Sequence, residues 1–510
     1  MKKASAVTTA FVSIIFCVNY SCKNKANEAH DSLAEGEKLA STYCISCHAF
    51  PEPALLDKKT WTTGVLPKMA ELMYVENYYD PNNARGTLGD MPSSGVHPDQ
   101  LFPHEKWEKI VKYYTTAAPE KLPERTDTLS PIQIGMKNFS AYSFYGRFPN
   151  PVTTLVYFDT VAKKIFFGDG NAGKVFVTNA AFNITDSFST SPGATDIHPG
   201  KVTSVVAIGS ITPTDEPRGK LEIVKNGEDP TTIIGNLRRP VQATYADLNN
   251  DGRQDIIISE FGFRQGGLSW FENTGNGNYT RHTLRALPGA IRTEVYDFNK
   301  DGKPDIAVLM AQGDEGVFIY YNEGNGKFRE DRVIRFPPVY GSNYFQLFDF
   351  NGDGFMDIIT TNGDNADYSI ILKPYHGIRI FYNNGRNQFE QKYFLPVYGV
   401  QKAIPADFDN DGDIDIVSIA FYPDYEKRPE ESFIYWENSG NNTYKRYTFS
   451  GFAEGRWLTM DVGDMDGDGD KDIIIGNAFI PVGHVPESYI EKWRSRPVSI
   501  TVLENTINKK

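Results

Sequence analysis

Two patterns in this chain place reactive side chains at spacings that chemistry can use. The first is Cys44-Ile45-Ser46-Cys47-His48. Two thiols separated by two residues can add across the two vinyl groups of a haem, and the adjacent His48 can then reach the iron as proximal ligand. A zinc site would call for further cysteine or histidine nearby. A redox dithiol would call for a βαβ setting, whereas the flanks here are helical in character. One motif implies one covalent haem c.

The second pattern is a loop that occurs five times: Asp, any residue, Asn or Asp, any residue, Asp, Gly, two residues, Asp. It comprises Asp247, Asn249, Asp251 and Asp255; Asp297, Asn299, Asp301 and Asp305; Asp349, Asn351, Asp353 and Asp357; Asp407, Asp409, Asp411 and Asp415; and Asp464, Asp466, Asp468 and Asp472. Calcium takes roughly six to eight hard oxygen ligands, and alternate short acidic side chains in a tight turn supply them. About five Ca2+ ions are therefore expected. An EF-hand would need Glu at loop position 12, where Ile258, Val308, Thr360, Ser418 and Ile475 stand. It would also need a following helix, whereas Ile256-Ile257-Ile258 and its counterparts read as buried strand.

These patterns require two kinds of scaffold. Residues 31–118 read as helical, with helices expected over Leu33–Tyr43, Thr60–Tyr74 and His104–Ala117; the last carries Trp107, Ile110, Val111 and Tyr114 on one face. Residues 119–131 are rich in Pro and charge and read as a linker. From residue 132 the pattern turns to strands. The five loops recur at spacings of 50, 52, 58 and 57 residues. Each unit holds an Asn-containing turn such as Phe271-Glu272-Asn273, followed by an aromatic that opens a fourth strand. Units of this length signal four-stranded propeller blades. Two units without the template fit between residues 150 and 238, and the last unit lacks a strand. A strand from around Ile132 to Phe144 is expected to fill that gap, closing seven blades.

The helix, Cys-x-x-Cys-His, helix, final helix order resembles class I cytochrome c. The resemblance implies haem held by Cys44, Cys47 and His48 with a distal methionine. Trp61-x-x-x-Val65-x-x-Lys68-Met69 is similar to a pattern in cytochrome domains attached to larger periplasmic enzymes, which implies Met69. Met91-Pro92 resembles the Met-Pro of other class I cytochromes and keeps Met91 as the alternative; Met73, His97 and His104 remain candidates. The five loops resemble the FG-GAP or VCBS repeat of integrin-type propellers, whose calcium sites are structural. The N-terminus, with Lys2, Lys3, an apolar stretch from Ala10 to Val18, and Asn19-Tyr20-Ser21-Cys22, resembles a bacterial lipoprotein signal, although Asn19 stands where Leu is usual. This implies a signal peptide over 1–21, acylation of Cys22 and, with Lys23 following, an outer-membrane lipoprotein facing the periplasm or the surface.

The expected fold is multidomain: a small all-α cytochrome c domain over 22–118, the linker, and an all-β seven-bladed propeller over 132–510. The formal charge of −13 and the absence of a basic cluster exclude nucleic acid as partner. All four cysteines are accounted for, since Cys17 leaves with the signal. Gly168-Asp169-Gly170-Asn171-Ala172-Gly173 matches a dinucleotide fingerprint but lies between two strand-like runs, so it reads as a hairpin turn. His198, Arg238, Arg239, Arg292, Asn343, Lys402 and Arg456 are expected just before the innermost strands, near the central axis, where they could form a cationic funnel for an anionic ligand. The expected role is electron transfer outside the cytoplasm, from a substrate or redox partner protein engaged by the propeller. The alternatives are a glycan- or protein-binding propeller with accessory haem, or a propeller lyase or isomerase. No catalytic residue is assigned.

Overall fold

The computed structural model describes residues 32–76, 101–126, 129–145, 148–365, 370–440, 442–480 and 482–509. The signal stretch, Cys22, Met91 and His97 lie outside the described residues. The chain divides into two compact units, one ending at Pro123 and the other beginning at Glu124, inside the stretch read as a linker.

The first unit is a short helical region. Its helices cover residues 32–43, then Lys58–Leu72 with a π-turn at Trp61–Val65, then His104–Ala117. Asp57 caps the second helix by accepting the Thr60 N–H at 2.7 Å. The first and third helices meet at Gly36, where an added Cβ would lie 2.4 Å from the Lys109 carbonyl oxygen. Only a residue without a side chain permits that approach. The core is aromatic. Trp61 lies 4.4 Å from Tyr114, centroid to centroid, and each is tied to the intervening turn, Trp61 Nε1 to the Pro53 carbonyl and Tyr114 Oη to the Pro51 carbonyl, both at 2.9 Å. The third helix buries Tyr113 with Trp107, Ile110 and Tyr114, while Val111 is only half-buried.

The second unit is a seven-bladed β-propeller of antiparallel four-stranded sheets. In chain order the innermost strands are Thr153–Asp159, Ala194–His198, Pro240–Ala246, Ala290–Tyr296, Ser342–Phe348, Val400–Ala406 and Trp457–Gly463, which open blades 1 to 7. Blades 1 and 2 occupy 153–189 and 194–237, the interval left for two units without the template. Blade 7 takes its outer strand from the other end of the chain: Phe139–Tyr145 pairs antiparallel with Val498–Asn505. An additional short strand, Gln133–Ile134, runs parallel along the outer edge of blade 6.

Strands that follow the Asp loops are apolar on both faces because blades pack face against face. Asp255–Glu260, Asp305–Met310, Asp357–Asn362, Asp415–Ala420 and Asp472–Asn477 are buried along their whole length. Ile257 packs with Trp270, Ile306 and Val308 between blades 3 and 4, and equivalent clusters fill the other seams. Each such isoleucine contributes on the order of 2 kcal/mol by leaving water.

Candidate metal loops, a thiol motif and the inner ring

Each Asp loop joins the innermost strand of a blade to the second. Its last aspartate, at position 9, opens the second strand and is fully buried in all five blades. One oxygen accepts the N–H of loop position 2 at 2.8–3.1 Å. The other accepts, at 2.7–2.9 Å, the N–H of the asparagine at or near the end of the third strand: Asn273, Asn322, Asn383, Asn438 and Asn505. The two recurring sequence elements are thus one device. The first aspartate accepts the N–H of the shared glycine at 2.8–3.1 Å. These glycines have φ between +82° and +93°, a region that costs other residues energy.

The loops then diverge. In blades 6 and 7, Asp407, Asp409 and Asp415, and Asp464, Asp466 and Asp472, form carboxylate triads whose oxygens lie within 4.8 Å of one another. Position 7 adds a further acid, Asp413 or Asp470. Asp470 is 1 % exposed and its Oδ1 has no hydrogen-bond partner; Asp407 Oδ1 and Asp468 Oδ2 are likewise buried and unmatched. Burial and neighbouring carboxylates push Asp415 and Asp472 up to about 7, and Asp409 and Asp470 up to about 6. In blades 3, 4 and 5 position 3 is asparagine, and its amide donates to the position 5 carboxylate at 2.9–3.3 Å. Blades 3 and 4 also supply their own cation at position 7: Arg253 pairs with Asp251, and Lys303 with Asp301 at 2.8 Å. The Lys303 hydrogen bonds hold Asp301 below the usual carboxylate range.

In the helical unit Cys44 and Cys47 sit on and beside a single 3-10 turn and form no disulfide. Burial pushes the Cys44 thiol up to about 11, so it is neutral at physiological pH. His48 Nδ1 lies 2.8 Å from the Ala49 carbonyl oxygen. Ile45 and Leu72 are 49 % and 53 % exposed, and Met69 and Met73 are half-buried. Two unlinked thiols and an adjacent imidazole are the donor types that covalent haem would need.

The cationic funnel does not form. Arg239 and Arg456 are buried, and their guanidinium groups donate to main-chain carbonyls: Arg239 to Ser210, Ile211 and Gly262, Arg456 to Phe421 and Ile480. Of the remaining axial residues, His198, Asn343 and Lys402 belong to a ring of side-chain-to-backbone bonds that joins every blade to the next, whereas Arg238 stands outside it, its Nε buried without a hydrogen-bond partner. Thr154 donates to the Ala194 carbonyl, and Asp196 accepts the Ala243 N–H at 2.9 Å, with His198 on the Ala243 carbonyl. Gln242 accepts the Thr293 N–H and Glu294 the Leu347 N–H. Asn343 donates to the Val400 carbonyl, Lys402 to the Met460 carbonyl, and Asp461 accepts the Phe158 N–H, closing the circle. Arg292 is paired with Glu294 at 3.0 Å. Sequence placed these side chains near the axis, but their partners come from neighbouring blades and leave no local signal.

A seven-bladed propeller with Asp-rich loops of this form defines a repeat class. The family described as FG-GAP-like repeat matches residues 247–308, 297–360 and 407–475, three overlapping or separate windows that each begin at an Asp loop. The second unit of the chain is a seven-bladed propeller, and residues 247–360 and 407–475 of it match FG-GAP-like repeats. It is similar to integrin alpha-3 of Cricetulus griseus, 23 % identical over 220 residues, or 38 % of this chain and 20 % of that protein. The matched region thus spans about a fifth of that relative's length. Among solved structures, a streptogramin B lyase aligns over 72 % of this chain and 98 % of its own at 13 % identity and a TM-score of 0.46. A chain from an S. cerevisiae assembly of dbp5 with nup159 and gle1 aligns over 74 % and 98 % at 12 % identity and a TM-score of 0.42. The fold rests on the seven sheets and not on these likenesses.

Proposed function

We propose that this protein is a binding protein of the cell envelope whose propeller is braced by calcium on one face and recognises its ligand with the other. The observation that carries this reading is a division between the faces. The Asp loops and Asn turns all lie on one face, because each joins a first to a second strand or a third to a fourth. The opposite face carries the connections from second to third strands. These are short in blade 1 (170–173) but long in blades 5, 6 and 7 (363–376, 421–432 and 478–497). The blade 7 insertion holds a helix, Glu487–Ser495, whose buried Trp493 packs on Tyr425 of the blade 6 insertion at 6.0 Å. Unequal loops on a rigid scaffold are where recognition usually resides. Calcium is proposed to fill the blade 6 and 7 loops most tightly, with blades 3, 4 and 5 weaker. Replacing residues 482–496 by a short turn is expected to abolish a ligand found on glycan and envelope-protein arrays while calcium-dependent melting persists. Retention of that ligand would overturn the reading.

A second reading is favoured by the thiol motif. Cys44 and Cys47 would hold one haem, His48 would be its proximal ligand and Met69 its distal one, making the binding protein an electron carrier. Bound there, haem supplies one-electron exchange. Cys44 lies on, and Cys47 beside, one 3-10 turn, and both thiols are unlinked. Protein matured in a host with cytochrome c machinery is expected to carry one haem that survives acid-acetone extraction; a colourless product would remove this reading. Cys22→Ala is expected to abolish lipid labelling and to release the protein from the outer membrane.

A further inference from the structure

A cavity of about 290 Å³ opens at the seam between blades 4 and 5, at the end of the ring that carries the long insertions. Aromatic rings of Phe336, Tyr340, Phe381 and Phe394 and the guanidinium groups of Arg335 and Arg379 line it. Arg379, on the third strand of blade 5, is 5 % exposed. Its guanidinium lies between the rings of Tyr340 and Phe394, 4.7 and 4.6 Å from their centroids. Two hydrogen bonds of 2.7 Å, to Asn362 Oδ1 and the Tyr375 carbonyl, fix its plane. A buried charge held by neutral acceptors is costly without an anion. None of the nine lining residues is acidic.

The surroundings add to this charge. Asp314 is shared by three arginines: Arg285 at 3.2 Å, Arg332 at 2.7 Å and Arg335 at 3.2 Å. The only other carboxylate paired to this group among the described residues is Glu330, 2.7 Å from Arg285. Three guanidinium groups thus meet two carboxylates across blades 3 and 4, and one of the three, Arg335, also lines the cavity with Arg379, whose hydrogen bonds are to neutral acceptors. In a chain of charge −13, Arg335 and Arg379 bring two positive charges and no carboxylate to the lining of this cavity.

We propose that this seam binds an acidic hexose unit of a polysaccharide, a pyranose ring bearing a carboxylate or a sulfate. The ring faces of Tyr340 and Phe394 that look at Arg379 are already occupied, so no parallel pair of rings is left to sandwich a nucleobase. The floor is apolar and shallow, with Phe336 and Phe381 buried, and Arg335 and Gln391 stand at its exposed edge. A pyranose offers an apolar C–H face to such a floor and hydroxyl and anionic groups to such an edge. Guanidinium groups recognise carboxylate and sulfate oxygens by charge-assisted hydrogen bonds. This assignment rests on the reading of the protein as a binding propeller and names the ligand class for its recognition face.

The test uses the full chain with three probes: an oligogalacturonate, a sulfated hexose oligomer of the same length and a neutral dextran. One of the charged probes is expected to bind and dextran is not; which one binds separates carboxylate from sulfate. Phe394→Ala is expected to weaken binding about threefold to tenfold. Arg335→Glu should weaken it further, most strongly at low salt, where screening is least. Both side chains are exposed, so unchanged melting certifies the fold of each variant. No binding of either charged probe, equal binding of dextran, tighter binding of single-stranded DNA, or wild-type affinity in both variants overturns the assignment. A ligand that fails these tests yet depends on residues 482–496 would leave the binding propeller standing and remove only the sugar site.

Discussion

The loops of blades 3 and 4 and those of blades 6 and 7 share one backbone and differ in charge design. All four bury the position 9 aspartate on two main-chain N–H groups and turn on a glycine at positive φ. In blades 3 and 4 an asparagine and a basic residue have entered, and one of the loop's three carboxylates, Asp251 or Asp301, is paired by its own Arg253 or Lys303. In blade 6 no cation among the described residues pairs with the triad, in blade 7 Lys509 reaches only Asp466, at 3.5 Å, and three carboxylate oxygens of the two loops are buried without partners. One template can therefore encode both a loop that holds itself and a loop that waits for a divalent ion.

The largest effect tests what the loops have in common. Replacing Asp255 or Asp415 by Ala strands two buried N–H groups and is expected to cost about 2–6 kcal/mol in either blade, read by urea unfolding. A mild effect in one and a severe effect in the other would mean the frameworks are not equivalent. Next comes calcium itself. At about 100 times Kd, each occupied loop adds roughly 2.7 kcal/mol. Asp409→Asn with Asp466→Asn should erase most of the calcium-induced rise in melting temperature, whereas Asp251→Asn with Asp301→Asn should leave most of it. The reverse pattern would sink the charge argument.

A third effect is one of sign. The folded values of Asp415 and Asp472 stand at about 7, well above an unfolded aspartate. Without calcium the native state binds the extra protons, so stability is fully present at acid pH and falls as pH rises through 7. With calcium bound, protons compete with the ion and acidification should destabilise. Melting curves in EGTA and in calcium between pH 5 and 8 should therefore slope in opposite directions, and parallel slopes would exclude a metal at these carboxylates. The smallest effect is Lys303→Ala, which frees Asp301 and should raise calcium uptake slightly in titration calorimetry.

Much of this architecture was legible. The Asp template and its spacing located five blades, the missing strand of the last unit foretold a partner from the N-terminal side, and Phe139–Tyr145 supplies it. Triple-isoleucine runs marked strands buried on both faces. The differences among the loops were also present in sequence, at positions 3 and 7, but their meaning depends on side-chain reach: only the fold shows Lys303 folding back onto Asp301. The axial residues were misread for the opposite reason. Their placement near the axis was readable, but Lys402 meets Met460 and Asp461 meets Phe158 across blade boundaries, so a supposed rim is internal bracing. The seam pocket had no local signature, since Tyr340, Arg379 and Phe394 come from three separate stretches of chain.

The blade built from both ends of the chain has a mechanical consequence. Phe139 lies opposite Asn505 and Tyr145 opposite Val498, so the entrance of the first strand sits beside the exit of the last. A force applied to the two ends would load the ladder one rung at a time, like opening a zip, and would not shear all its bonds together. The propeller should therefore yield first at this seam under tension, and a protein held at one end and pulled at its ligand would be protected only if the load enters through another blade.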